Sequence, residues 1–136
     1  MFVDACAIVS MFTGEDTADA YDAALSSASG AFTSPLAAWE AIIVLSRPDQ
    51  LGCTYTDSEA AVVEWLEARG IALKDAASPR EILGHAVAVA EKHGIGRRAL
   101  SNFDCFHYAH AKVAGAPLLT LDQLLRQTDA VTLPAG

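Results

Sequence analysis

The chain is 136 residues long, 52% hydrophobic and 19% charged, which suits one globular domain with a buried core. A formal net charge of −8 repels polyanions at long range, so charge alone argues against nucleic-acid binding unless a bound cation and a local basic rim supply the attraction. No apolar run approaches the roughly 20 residues of a membrane span, no basic segment followed by an apolar stretch opens the chain, and Cys6, Cys53 and Cys105 lack metal-finger spacing, so a cytoplasmic protein with free thiols is expected.

Short apolar runs, helix caps and glycine stops mark the elements. Phe2 and Val3 form a short strand ending at Asp4, and Ala5 to Phe12 a helix stopped by Thr13 and Gly14. Asp16 to Ala28 reads as a second helix and Ala31 to Thr33 as a second strand. Ser34-Pro35 supplies an N-cap and a proline at the first helical position, opening a helix to about Ser46. Thr56 or Ser58 caps the next helix, which Gly70 ends, and Ile71 to Leu73 is a third strand. Ser78-Pro79-Arg80-Glu81 has the form of a capping box for a helix to about His93. Ser101 or Asn102 caps a helix through Val113, terminated by Gly115 and Pro117. Leu118 to Thr120 is a fourth strand, a short helix follows Asp122, and Val131 to Leu133 is a candidate fifth strand. Strands alternating with helices predict an α/β fold: a three-layer α/β/α domain around a roughly five-stranded parallel sheet, over residues 1–136.

In such a sheet ligands bind at the carboxyl ends of the strands. Asp4 ends the first strand, Glu40 lies in the second turn of the helix after the second, Asp104 opens its helix, and Asp122 follows the fourth strand. All four carboxylates therefore reach one edge, although Asp75 and Glu81 also follow a strand. Each has a plainer reading: a turn residue for Asp4, a helix cap for Asp104 in Ser101-x-x-Asp104, and another for Asp122. Glu40 fits a plain reading least, because it shares a face with Leu36, Ile43 and Val44, where a carboxylate must be paired, protonated or metal-bound. Two charges ~4 Å apart repel by about 4 kcal/mol at an effective dielectric of roughly 20. A hard divalent ion with oxygen ligands, Mg2+ or Mn2+, relieves that repulsion economically.

These residues match a family. Phe2-Val3-Asp4-Ala5, the Ser34-Pro35 helix with Glu40, Leu100-Ser101-Asn102-Phe103-Asp104-Cys105 with Tyr108-Ala109, and Pro117-Leu118-Leu119-Thr120-Leu121-Asp122 with Thr128-Asp129 follow in order along the whole chain. Together they resemble PIN-domain ribonucleases, and within them the VapC toxins of bacterial toxin–antitoxin pairs. The resemblance implies a five-stranded parallel sheet and RNA cleavage with Mg2+ or Mn2+ on Asp4, Glu40, Asp104 and Asp122. Asp4 and Asp104 would hold the metal, with Glu40 and Asp122 acting directly or through water. It also implies a VapB-type antitoxin that blocks the site, with DNA contact only through that antitoxin; a homodimer within a larger complex is expected because two-fold dimers are the commonest oligomers, and no membrane association is expected. Arg97, Arg98 and Lys112 are candidates for holding RNA phosphates and for the site's basic rim. Cys6 departs from the pattern, since the family often has Ser, Thr or Asn there; a thiol suits a hard ion poorly, and core packing is its expected role.

Two other readings are open. His107 and His110, three residues apart on one helix, suit metal-free RNA cleavage by general acid–base chemistry, against packed or solvated helix histidines. A non-catalytic PIN-like module that only binds a partner is the second. The stripes Ile8, Val9, Phe12, Tyr21 and Leu25 suit either a partner helix in a groove or the core. Neither a phosphoryl-transfer acidic pair after the first strand nor a glycine-rich phosphate loop is present.

Overall fold

The computed structural model describes residues 1–75 and 77–135. Five short strands, β1 (Phe2–Val3), β2 (Phe32–Thr33), β3 (Ala72–Leu73), β4 (Leu118–Leu119) and β5 (Thr132–Leu133), form one sheet in the order β3-β2-β1-β4-β5. Every pairing is parallel, with Phe2 beside Phe32 and Leu118. The order runs outward from β1 in one direction through β2 and β3 and in the other through β4 and β5. The reversal lies between β1 and β4, where an open α/β sheet leaves a crevice at the carboxyl ends of its strands.

Helices α1 (Ala5–Thr13) and α2 (Ala18–Ser26) connect β1 to β2, α3 (Pro35–Leu45) and α4 (Tyr55–Ala68) connect β2 to β3, and α5 (Pro79–His93) and α6 (Asn102–Ala114) connect β3 to β4. The four-residue α7 (Gln123–Arg126) joins β4 to β5. Alternate strand residues point to opposite faces. Val3 and Leu119 enter a core with Ile8, Met11, Tyr21, Ile42, Leu45, Val62 and Leu66, while Phe2 and Leu118 enter another with Ile82, Val89, Leu100, Tyr108 and Leu125. This is the predicted three-layer arrangement. Ile8, Val9 and Tyr21 are buried in the first core, so these members of the stripe serve packing rather than a partner helix. No helix among the described residues is long and apolar enough to cross a membrane.

Two predicted caps differ. The fourth helix starts earlier, at Thr54, whose hydroxyl accepts the Asp57 N–H at 3.1 Å. The Ser78 box does not form, and the backbone shows why. Ser34, Thr54 and Ser101 have ψ of 161°, 159° and 166°, whereas Ser78 has ψ 91°, which turns its hydroxyl away from the helix N–H groups it would accept. The Ser101 cap does form, with Ser101 and Asp104 satisfying one another's backbone N–H.

Candidate active site

Three helix starts and one strand end bring the site together. Asp4 leaves β1 in extended conformation and caps α1, its Oδ1 accepting the Ala5 N–H at 2.7 Å. It is almost fully buried, so its other oxygen needs donors. Thr120, just beyond β4 and fully buried, donates its hydroxyl to Asp4 Oδ2 at 2.7 Å. The Cys6 thiol donates to the same oxygen at 2.9 Å. Thr120 Oγ1 also accepts the Asp122 N–H at 3.1 Å, while the Tyr21 hydroxyl accepts the Leu121 N–H at 2.9 Å. The expected core role for Cys6 is therefore corrected. The residue is solvent-exposed, and its sulfur lies 3.3 Å from Thr120 Oγ1 and 3.4 Å from the Tyr21 hydroxyl.

Glu40 and His107 meet Asp4 from the other side. His107 Nε2 is 2.7 Å from Glu40 Oε1 and 3.7 Å from Asp4 Oδ1. One donor atom from each of the three lies within 4.8 Å of the others, a spacing that a metal ion can bridge. His107 is fully buried while the Glu40 side chain keeps 26% exposure. Burial pushes the imidazole pKa down, but the Glu40 hydrogen bond and the charges of Asp4, Glu40 and Asp104 outweigh it, leaving the ring above its ordinary value. Glu40 thus meets the requirement for a carboxylate beside apolar residues by pairing. It borders a cleft of about 210 Å³ lined by Ala5, Cys6, Val9, Glu15, Glu40 and Val44.

Asp104 and Asp122 are both cap residues and neighbours of this cluster. Asp104 Oδ2 accepts the Ser101 N–H at 3.0 Å, and Asp122 Oδ1 accepts those of Leu124 and Leu125 at 2.9 and 3.0 Å. In each case the second carboxylate oxygen is left for another partner. Burial raises the pKa of Asp104, and the charges of Asp4 and Asp122 add to that rise against the pull of the Ser101 N–H. Asp4 and Glu40 thus each bring a carboxylate oxygen within 4.8 Å of the other, and Asp104 stands near enough to Asp4 and Asp122 to feel their charges. Among the described residues, the lysine and arginine ion pairs are Arg69–Asp22 and Lys112–Asp129, and neither involves these acids. Hard oxygen donors gathered without a lysine or arginine ion pair among the described residues fit a divalent cation.

A model of the PIN domain matches residues 1–131. The chain belongs to the PIN-domain family. It is also similar to Ribonuclease VapC3 of Pyrobaculum aerophilum, with 33% identity over 135 residues, 98% of each chain. Both findings agree with the family resemblance carried by the four acids and the segments around them.

The basic candidates divide. Arg97 and Arg98 are exposed on the turn that leads into α6, at the same end of that helix as Asp104. Arg98 has a positive φ of 66°. Lys112 lies at the other end of α6, eight residues and about 12 Å along the axis from Asp104. It pairs with Asp129 at 3.2 Å and borders a cavity with Gly115 and Pro117, below the start of β4. The structure does not bring Lys112 to the carboxylates. Nor do the two histidines act as a pair. His110 Nδ1 bonds the Phe106 carbonyl at 2.8 Å, and its ring stacks on Phe2. Thr120 is the site neighbour that sequence reasoning missed, while His107 entered it only as half of a histidine pair, Cys6 only as a core residue and Tyr21 only in an apolar stripe. For His107 a signal existed, since the i, i+3 spacing from Asp104 places both on one helix face.

Proposed function

We propose that this chain is a metal-dependent endoribonuclease of the VapC kind, the toxin of a toxin–antitoxin pair. Asp4, Glu40, Asp104 and Asp122 hold Mg2+ or Mn2+, Asp4 and Asp104 foremost and the others directly or through water. The observation that carries this reading is the gathering of four acids at the crevice beside β1 and β4, without a lysine or arginine ion pair to them among the described residues. The relative's printed name, a ribonuclease, points the same way. When bound, a divalent ion supplies an activated water and counter-charge for the phosphate.

The chain's own residues supply the rest. Thr120 and Cys6 fix Asp4 through its Oδ2, so the carboxylate meets a ligand already oriented. The caps at Ser101 and Asp122 hold Asp104 and Asp122 by one oxygen each. Arg97 and Arg98, exposed beside the start of α6, steady flanking phosphates and give an acidic protein its local attraction for RNA. Water attacks phosphorus and the bond to the 3′ oxygen breaks, leaving a 5′-phosphate on one fragment and, after that oxygen takes a proton, a 3′-hydroxyl on the other. Single-stranded or loop RNA is the preferred substrate, because bases in an A-form helix are hard for side chains to reach.

A small VapB-type antitoxin would close the site by setting an arginine on its carboxylates, a bidentate charge-assisted contact. A two-fold homodimer within the complex and a cytoplasmic location complete the proposal. The test is a Mn2+ or Mg2+ titration followed by thermal unfolding. At ~100 times the dissociation constant the ion should add about 2.7 kcal/mol of stability, and Asp4→Asn and Asp104→Asn should lose most of that gain. An unchanged melting curve across the millimolar range defeats the metal site.

A further inference from the structure

His107 offers two roles to the centre, a third ligand or a support for one, and its surroundings choose between them. The ring is fully buried, flanked by Phe2 at 5.7 Å and Phe103 at 6.5 Å between centroids. Its Nδ1 is buried and has no hydrogen-bond partner. Its Nε2 lies 2.7 Å from Glu40 Oε1, a contact that needs a proton between nitrogen and carboxylate oxygen. A neutral ring protonated on Nδ1 would bury a donor with no acceptor and set the Nε2 lone pair against a carboxylate oxygen. A proton on Nε2 removes the second cost and leaves at Nδ1 an unpaired acceptor in place of an unpaired donor. Metal-ligating histidines ordinarily give their second N–H to an acceptor, and Nδ1 faces none here.

We infer that His107 is a positioning residue of the centre: its Nε2–H holds Glu40 by Oε1, leaves Oε2 for the cation, and keeps His107 itself out of the ligand set. The inference rests on Glu40 belonging to the proposed metal centre. Glu40 needs the support more than its neighbours. Its side chain is the longest of the four, part-exposed, and not engaged in a cap, so without an anchor it loses more freedom when it orders around an ion. Asp4, Asp104 and Asp122 are each anchored by backbone N–H groups. Glu40 receives the equivalent restraint from α6, in the next crossover of the chain.

The experiment has two parts. Nitrogen-15 NMR of histidine-labelled, metal-free protein reads the ring directly: a proton on Nε2 is expected, and a neutral ring with its proton on Nδ1 overturns the inference whatever the metal does. Mn2+ alone is then titrated by calorimetry into the parent, His107→Gln and His107→Leu, with circular dichroism to confirm folding. Glutamine places an amide N–H near the position of Nε2, whereas leucine fills the space without a donor. His107→Leu should bind Mn2+ about 10–100-fold more weakly, the usual loss for an outer-shell partner, and His107→Gln should recover most of it. Folded His107→Leu with parental affinity, or glutamine as poor as folded leucine, overturns the positioning role. A parent that binds no Mn2+ strikes the proposed metal centre, while the NMR result still decides which nitrogen holds Glu40.

Discussion

Thr120 offers a clean perturbation of the site, because Thr120→Val changes chemistry at nearly constant shape. The side chain is fully buried, so the substitution leaves no cavity of note. It removes the hydrogen bond donated to Asp4 Oδ2 at 2.7 Å, worth about 1.5–3 kcal/mol when the acceptor is charged. It also removes the acceptor for the Asp122 N–H at 3.1 Å. That backbone group is only part-buried and water replaces some of the loss, so the combined cost is about 2–4 kcal/mol. The Cys6 thiol remains on Oδ2 at 2.9 Å and keeps the total from rising further. Thr120→Ser retains the hydroxyl and gives up a buried methyl, costing about 1 kcal/mol. Denaturant and thermal unfolding in EDTA reads these differences without a metal contribution, at about 3–5 °C per kcal/mol for a chain of this size. A Val variant that melts with the parent, or a Ser variant that melts with Val, refutes the reasoning.

Further outcomes concern neighbouring groups. In EDTA, Asp104→Asn should be at least as stable as the parent, since it keeps an oxygen for the Ser101 N–H and removes a charge, whereas Asp104→Ala should fall below Asn by about 0.5–1.5 kcal/mol; denaturant midpoints compare the three. Away from the site, the Tyr108 hydroxyl and Lys112 hold Asp129 below its ordinary carboxylate pKa. A lowered carboxylate contributes stability above its unfolded value and loses it as pH falls through the folded one. The parent should therefore exceed Tyr108→Phe by less than about 1 kcal/mol at neutral pH, because Asp129 is exposed. Melting curves measured down to pH 2 should show that advantage shrinking as Asp129 protonates.

Local signals carried much of the fold and part of the site. Phe2-Val3 before Asp4, Ser34-Pro35 before α3, and Gly115 with Pro117 before β4 each act within a few residues, so strands, crossovers and the parallel sheet were readable from the chain. Placing Asp4, Glu40, Asp104 and Asp122 at one edge followed from that sheet. Contacts between distant residues were not readable. Thr120 reaches Asp4 across 116 residues and His107 reaches Glu40 across 67, and a buried helix histidine looks like packing until its partner is seen. Lys112 shows the same limit: it shares a helix with Asp104 but lies at the other end, on Asp129. Ser78-x-x-Glu81 shows that a capping pattern needs backbone geometry as well, since ψ of 91° withholds the hydroxyl.

The most direct measurement of the proposed chemistry is the identity of the ends left on a cleaved RNA. End-labelled single-stranded RNA treated with the purified chain and Mn2+ should yield 5′-phosphate and 3′-hydroxyl termini. Cleavage should stop in EDTA and be lost in Asp104→Asn. A 2′,3′-cyclic phosphate, or cleavage that persists when the metal is removed, would contradict a water nucleophile at a carboxylate-held cation and return the reaction to the RNA's own 2′-hydroxyl.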